Sequence, residues 1–234
     1  MTKRTSTIAP ALRILILTSV SLISIKADAG LKEDSGYWFN LRMQGELPVQ
    51  NFYWDMDINP RWRNEGKHLD NLYLRPAVFY KPDSKTSLWL GHDTIASHPD
   101  GKSSYQENRW WQQFQYQFDP VQSITFTNRS RLEERTREGF HDTGHRLRQM
   151  FRASKALTNY PALSYVMSDE LFVNVDQTDW GAHRGLDQNR LFVGANWKVN
   201  KRCTLETGYL NQIVNKTTHN LENHVISTTV GFKF

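Results

Sequence analysis

Arg129, Arg131, Glu133 and Arg135 occupy every second position of one segment, and Arg137 can extend the row. Arg146, Arg148 and Arg152 keep the same alternation in the next segment, and Glu170, Arg190 and Glu206 follow in three later ones. In an extended chain, residues two apart share a face, so each row presents its charge to one side. A guanidinium fork bonds a carboxylate or a phosphate bidentately and stays charged at any relevant pH. Two chemistries suit such rows. One is a ladder of ion pairs filling a narrow interior, which is the favoured reading; the other is a wall that binds or passes a small anionic solute. The seven arginines outnumber the three glutamates, which predicts a locally positive wall.

The sequence is poor in other reactive arrangements. Outer-membrane lipid hydrolases place His and Ser two apart so that the imidazole can activate the hydroxyl, and neither His-x-Ser nor Ser-x-His occurs. His92-Asp93-Thr94 and Ser97-His98 do not supply a nucleophile, a base and an orienting group together. They support only an alternative reading, an enzyme acting on lipid or lipopolysaccharide. His98, Asp100, His141, Asp142 and His145 lack metal-ligand spacing. Cys203 is the only cysteine, so no intrachain disulfide can form. No catalytic residue, metal or cofactor is assigned.

The elements that must carry the charged rows alternate with period two almost throughout. Tyr37, Phe39, Leu41 and Met43 oppose Asn40, Arg42, Gln44 and Glu46; Phe52, Trp54, Met56 and Ile58 oppose Tyr53, Asp55, Asp57 and Asn59. Leu72, Leu74, Val78 and Tyr80 mark a third segment, which ends at Lys81-Pro82-Asp83-Ser84, and a fourth runs from Thr86 to Thr94. Trp110, Phe114, Tyr116 and Phe118 share one face of the fifth, with Arg109, Gln113, Gln115 and Gln117 on the other. Segments of about 9–11 residues suit tilted membrane strands. Eleven segments are legible, and because bacterial single-chain barrels have even strand numbers, the expectation is about twelve strands, with ten as the alternative. The fold class is all-β, a single antiparallel transmembrane β-barrel. Long connections at 136–144, 175–188 and 214–223 against short ones at 119–122 and 199–202 predict long external loops and short periplasmic turns. If the apolar faces meet lipid, the polar faces line the lumen, and a symmetric 136–144 loop sets Glu133 opposite Arg148, Arg131 opposite Met150 and Arg129 opposite Arg152.

Both ends of the chain point to export. Lys3, Arg4 and Arg13 precede an apolar run, Ile14 to Ile25, and Ala27-Asp28-Ala29 supplies a small-x-small cleavage site. Residues 1–29 are therefore read as a signal peptide and 30–234 as the barrel. Cleavage removes four basic residues and one acid, so the formal charge of +5 falls by three; nucleic acid is not an expected partner. The last segment places His224, Ile226, Thr228, Val230, Phe232 and Phe234 on one face, and the terminal aromatics Phe232 and Phe234 read as a signal for the barrel-assembly machinery. A mean hydropathy of -0.64 in a chain with 8 Trp, 9 Tyr and 12 Phe fits a barrel with a polar lumen and aromatic girdles.

Several stretches carry a resemblance: Leu88-Trp89-Leu90-Gly91, Asn128 to Arg135, Arg146-Leu147-Arg148, Ser168 to Phe172, Asn189 to Gly194, and Gly208 to Gln212. In these the chain is similar to the domain of unknown function 2490 family of bacterial outer-membrane proteins, over nearly all of the mature segment. The resemblance implies a shared lumen network and supplies no activity; His92 departs from the aromatic expected after Leu90-Gly91. The resulting expectation is a protein of the bacterial outer membrane, in contact with its lipid and lipopolysaccharide. It serves there as a narrow or plugged channel with an arginine-rich, anion-preferring lumen, or as a structural surface protein.

Overall fold

The computed structural model describes residues 32–216 and 220–234; the expected signal peptide lies outside the described residues. Eleven strands form one closed barrel: β1 (Lys32–Glu46), β2 (Phe52–Arg63), β3 (His68–Tyr80), β4 (Thr86–Ser97), β5 (Tyr105–Gln117), β6 (Ile124–Arg137), β7 (Gly144–Ala156), β8 (Leu163–Asn174), β9 (Gly185–Lys198), β10 (Cys203–Val214) and β11 (Leu221–Lys233). Each strand pairs antiparallel with the next, and β1 pairs parallel with β11, from Lys32↔Leu221 to Gln44↔Lys233. This corrects two expectations. Among the described residues the strands number eleven rather than twelve or ten, and the sheet has one parallel seam. The two facts are linked, because an odd number of strands joined only by hairpins leaves the first and last pointing the same way.

The alternation sorts side chains in the reverse of a water-soluble core. Leu72, Leu74, Val78, Leu88, Leu90, Trp110, Phe114, Leu147, Phe151, Met167, Val193 and Ile226 are exposed on the outer wall, whereas Asp55, Asn59, Asp93, Glu107, Glu133 and Glu170 are buried inside. Trp110 and Trp111 show the rule at adjacent positions, the first 57% exposed and the second 4%. Two small apolar clusters share the interior with the charges: Ala77, Phe79, Trp89 and Trp111 in one, and Trp38, Val166, Phe192, Leu210 and Val225 in the other.

Strand prolines and tight turns show how local sequence sets the frame. Proline cannot donate to a ladder, and the β1–β2 pairing skips from Trp38↔Arg61 to Leu41↔Ile58 around Pro60. Asn59 Nδ2 donates to the Phe39 carbonyl at 2.7 Å instead, and the Asn59 side chain is fully buried. The turn after β2 uses positive φ at Asn64, Glu65 and Gly66, the tight hairpin geometry that matches strand twist. Asp83 Oδ1 accepts from the backbone N–H groups of Lys85 and Thr86, both at 2.7 Å, and Asn200 Oδ1 does the same for Arg202 and Cys203 at 2.8 Å.

The strands reach further into the connections than expected, with 12 to 15 residues each. β6 runs to Arg137, β9 starts at Gly185 and β11 at Leu221, so residues 175–184 form the longest link and the other expected long loops shrink. Strands tilted around a barrel continue their ladders past the apolar band until the rim. The start of β1 and the 175–184 hairpin lie at one rim; Phe234 lies at the other. There its N–H donates to the Gln44 carbonyl at 2.9 Å and its ring stacks on Trp54 at 6.1 Å.

Candidate functional site

The charged rows of β6 to β10 meet inside the barrel. Glu133 is the hub: its side chain is 0% exposed, Arg146 Nη2 lies 2.6 Å from Oε2 and Arg148 Nη1 lies 2.6 Å from Oε1. Arg148 also reaches Glu170 Oε1 at 2.8 Å, an oxygen that Arg129 Nη2 shares at 2.7 Å. Arg152 of β7 pairs with Glu206 of β10, three strands away. Arg131 lies flat on the Trp111 ring at 3.7 Å and donates to Gln113 Oε1 through Nε and Nη2, at 2.9 and 2.7 Å.

The cross-strand register differs from the expected one by two residues. Glu133 lies opposite Arg146, Arg131 opposite Arg148 and Arg129 opposite Met150. A two-residue shift keeps every side chain on its own face, which is why the facing survives it. The physical cause is the loop, since the β6–β7 ladder runs on to Arg135↔Gly144 and the connection does not fold symmetrically about 136–144.

Most of the remaining counter-charge comes from residues that the expected network left out. Glu107 Oε1 accepts from both Arg109 and Arg135 at 2.7 Å, Asp187 Oδ2 takes Arg146 Nη1 at 2.7 Å, Arg42 meets Asp55 at 2.7 Å, and Arg75 meets Asp57 at 3.2 Å and Asp93 at 3.6 Å. Lumen ion pairs thus involve every strand from β1 to β10, and the charge is closer to neutral than seven arginines against three glutamates. Asp55, Asp57 and Arg109 were visible as inward-facing positions; Arg75 and Asp93 were hidden in strands that look apolar. Phe172, fully buried, carries the guanidinium carbons of Arg148 and Arg190 within 4.5 Å of its ring centroid.

The matching family model covers residues 35–223, and its description is protein of unknown function, DUF2490. The chain belongs to this family. It is 29% identical over 224 residues to an uncharacterised protein of Methylorubrum extorquens, with 94% of this chain and 97% of that protein covered. No solved structure matches. The family span contains every residue of the lumen network and stops before Phe232 and Phe234.

The remaining candidate groups stay apart. His92 faces outward, its ring 4.7 Å from that of Trp110. His98 Nδ1 lies 2.9 Å from Ser104 Oγ, a His–Ser contact made across a hairpin that adjacent spacing could not reveal, and among the described residues no acid orients the ring. His68 is the first residue of β3. His145 Nδ1 bonds Asp176 at 2.6 Å. Among the described residues, His98, Asp100, His141, Asp142 and His145 do not bring three ligand atoms together. Glu33, Glu222 and His224 do come together at the β1–β11 seam, but His224 is held by the Tyr209 hydroxyl at 2.6 Å and Glu222 by Asn211.

Proposed function

We propose that this protein is an outer-membrane β-barrel whose lumen is closed across its middle, so that it acts in the envelope as a plugged barrel rather than an open pore. One observation carries the reading: Glu133, at 0% exposure, is clamped by Arg146 and Arg148, while Arg148 continues to Glu170 and Arg129. A hydrated channel would leave such groups wet. Here the side chains of β6, β7 and β8 bond one another in the interior, and β7 arginines reach on to Asp187 of β9 and Glu206 of β10. The apolar outer wall supports a lipid surround, since an apolar belt around a closed barrel is what hydrocarbon requires. Phe232 and Phe234 supply the terminal aromatics that the barrel-assembly machinery reads, and lipid and lipopolysaccharide are the resulting neighbours.

The test is electrical. Purified, refolded protein in planar bilayers is expected to give no unitary conductance at neutral pH. Steady openings with anion preference would overturn the plug and favour the channel reading. Refolding itself, seen as heat-modifiable migration on gels, checks that the silent sample is a barrel.

A further inference from the structure

Above the plug, at the rim that holds the 175–184 hairpin, lies a cavity of about 270 Å³. Its wall includes Trp38, Arg61, Tyr73, Arg190 and Asn223, with Lys216 at the mouth. The carboxylates in this wall are already engaged. Asp34 takes Arg63 at 2.7 Å, Asp70 lies 3.8 Å from the same arginine, and Glu107 is held by Arg109 and Arg135. Arg61 and Arg190 are different. Both guanidinium carbons lie within 5.0 Å of the Trp38 ring centroid. Their hydrogen-bond partners among the described residues are neutral: Asn59 and the Tyr73 hydroxyl for Arg61, and Gln188 for Arg190.

Arg61 is buried and Arg190 half-buried, and among the described residues neither has a salt-bridge partner, a liability for neighbouring cations in a low-dielectric interior. Arg61 is 7% exposed, so water cannot fully relieve it. Two buried atoms of the wall are also unsatisfied among the described residues, Arg190 Nε and Asn223 Oδ1. The first is a donor suited to an oxyanion. The second is an acceptor, and Asn223 is 9% exposed, so it suits a ligand hydroxyl. A volume of about 270 Å³ is several times the roughly 30 Å³ that one water occupies in the liquid and below the roughly 300–1,000 Å³ of drug-sized pockets.

We infer that this cup binds a small hydroxyl-bearing oxyanion, a phosphate or a hydroxycarboxylate, through Arg61 and Arg190, with Asn223 accepting from its hydroxyl. Asn59 is a positioning residue: its Oδ1 accepts from Arg61 Nε at 2.6 Å while its Nδ2 is tied to β1. The inference goes beyond the plugged-barrel reading and does not need it, because binding from the rim is independent of whether the bore below conducts.

The experiment is calorimetric titration of the refolded full chain in detergent with inorganic phosphate and malate, alongside sulfate and succinate, which lack the hydroxyl. One saturable site is expected for phosphate, malate or both, several-fold weaker for the matching hydroxyl-free anion. Arg61→Gln or Arg190→Gln should weaken it by about tenfold or more, the worth of a charge-assisted hydrogen bond; Arg152→Gln, which loses a pair outside the cup, should not. As a check independent of variant folding, phenylglyoxal labelling of the unmodified protein should be slowed at Arg61 and Arg190 by the bound anion. The proposal is overturned by absence of saturable binding with phosphate and malate, by affinity unchanged in the two variants, or by labelling that the anion does not slow. Equal binding of the hydroxyl-free anions overturns the role of Asn223. Silent or open bilayer records change none of these outcomes, so the two readings fail separately.

Discussion

Glu170 on β8 lies directly across from Arg190 on β9, yet its carboxylate is bound by Arg129 and Arg148. Arg190 turns instead to Gln188 at 3.0 Å and to the Trp38 and Phe172 rings. Cross-strand adjacency therefore does not decide the pairing. Long guanidinium arms reach past the adjacent pair, and Glu170 is taken by arginines that arrive from β6 and β7.

Removal of the hub should be costly. Glu133→Ala leaves Arg146 and Arg148 without their shared carboxylate, and breaking a buried pair from one side costs about 3–5 kcal/mol. Urea unfolding of the refolded barrel should show that loss, while Glu134→Ala, on the outer face and exposed, should stay within about 0.5 kcal/mol. Equal effects at the two positions would show that the network does not hold the barrel.

Gly91 leaves room for its cross-strand partner Trp111. A Cβ at residue 91 would come within 2.2 Å of Trp111 Cζ2, and the indole is fixed by its N–H to Asp93 Oδ1 at 2.6 Å. Gly91→Ala is therefore expected to destabilise by about 1–3 kcal/mol through overpacking. Combining it with Trp111→Phe should give less than the sum of the single losses; full additivity in unfolding titrations would argue against the contact.

The turn at Asp83 gives a pH dependence of known sign. Backbone N–H groups of Lys85 and Thr86 hold its carboxyl below the ordinary carboxylate range. With the folded value depressed, its contribution to stability is present above the unfolded value of about 3.9 and is lost as pH falls through the folded one. Asp83→Asn should remove that part of the acid loss, flattening the stability curve below about pH 4. An unchanged curve would show that the turn bonds do not form.

For the membrane-spanning barrel proposed above, the parallel seam makes a topological prediction. Lys32 and Phe234 are at opposite rims, so epitopes fused before β1 and after β11 should lie on opposite sides of the membrane, with one of them accessible to antibody on intact cells. Accessibility of both, with the membrane intact, would require an even strand number.

The period-two pattern determined which side chains face inward, because a strand offers only two faces and a polar residue on an apolar wall breaks the alternation visibly. Of the expected lumen rows, Glu133, Arg135, Arg146 and Glu170 are buried, as are Asp55 and Arg109 of the earlier segments. Eleven segments were also countable; an even-number regularity drawn from other barrels pulled the expectation to twelve. Parallel closure follows from that odd count; what the sequence does not reveal is the register of the seam, Lys32↔Leu221 to Gln44↔Lys233, because it joins strands far apart in the chain.

Tertiary structure alone decided the pairings. Register shifts by two residues leave every face unchanged, so alternation carries no information about whether Glu133 meets Arg146 or Arg148, and here it binds both. The cup has the same origin: Trp38, Arg61, Arg190 and Asn223 come from β1, β2, β9 and β11, and only closure of the barrel brings the two guanidinium groups onto one indole ring.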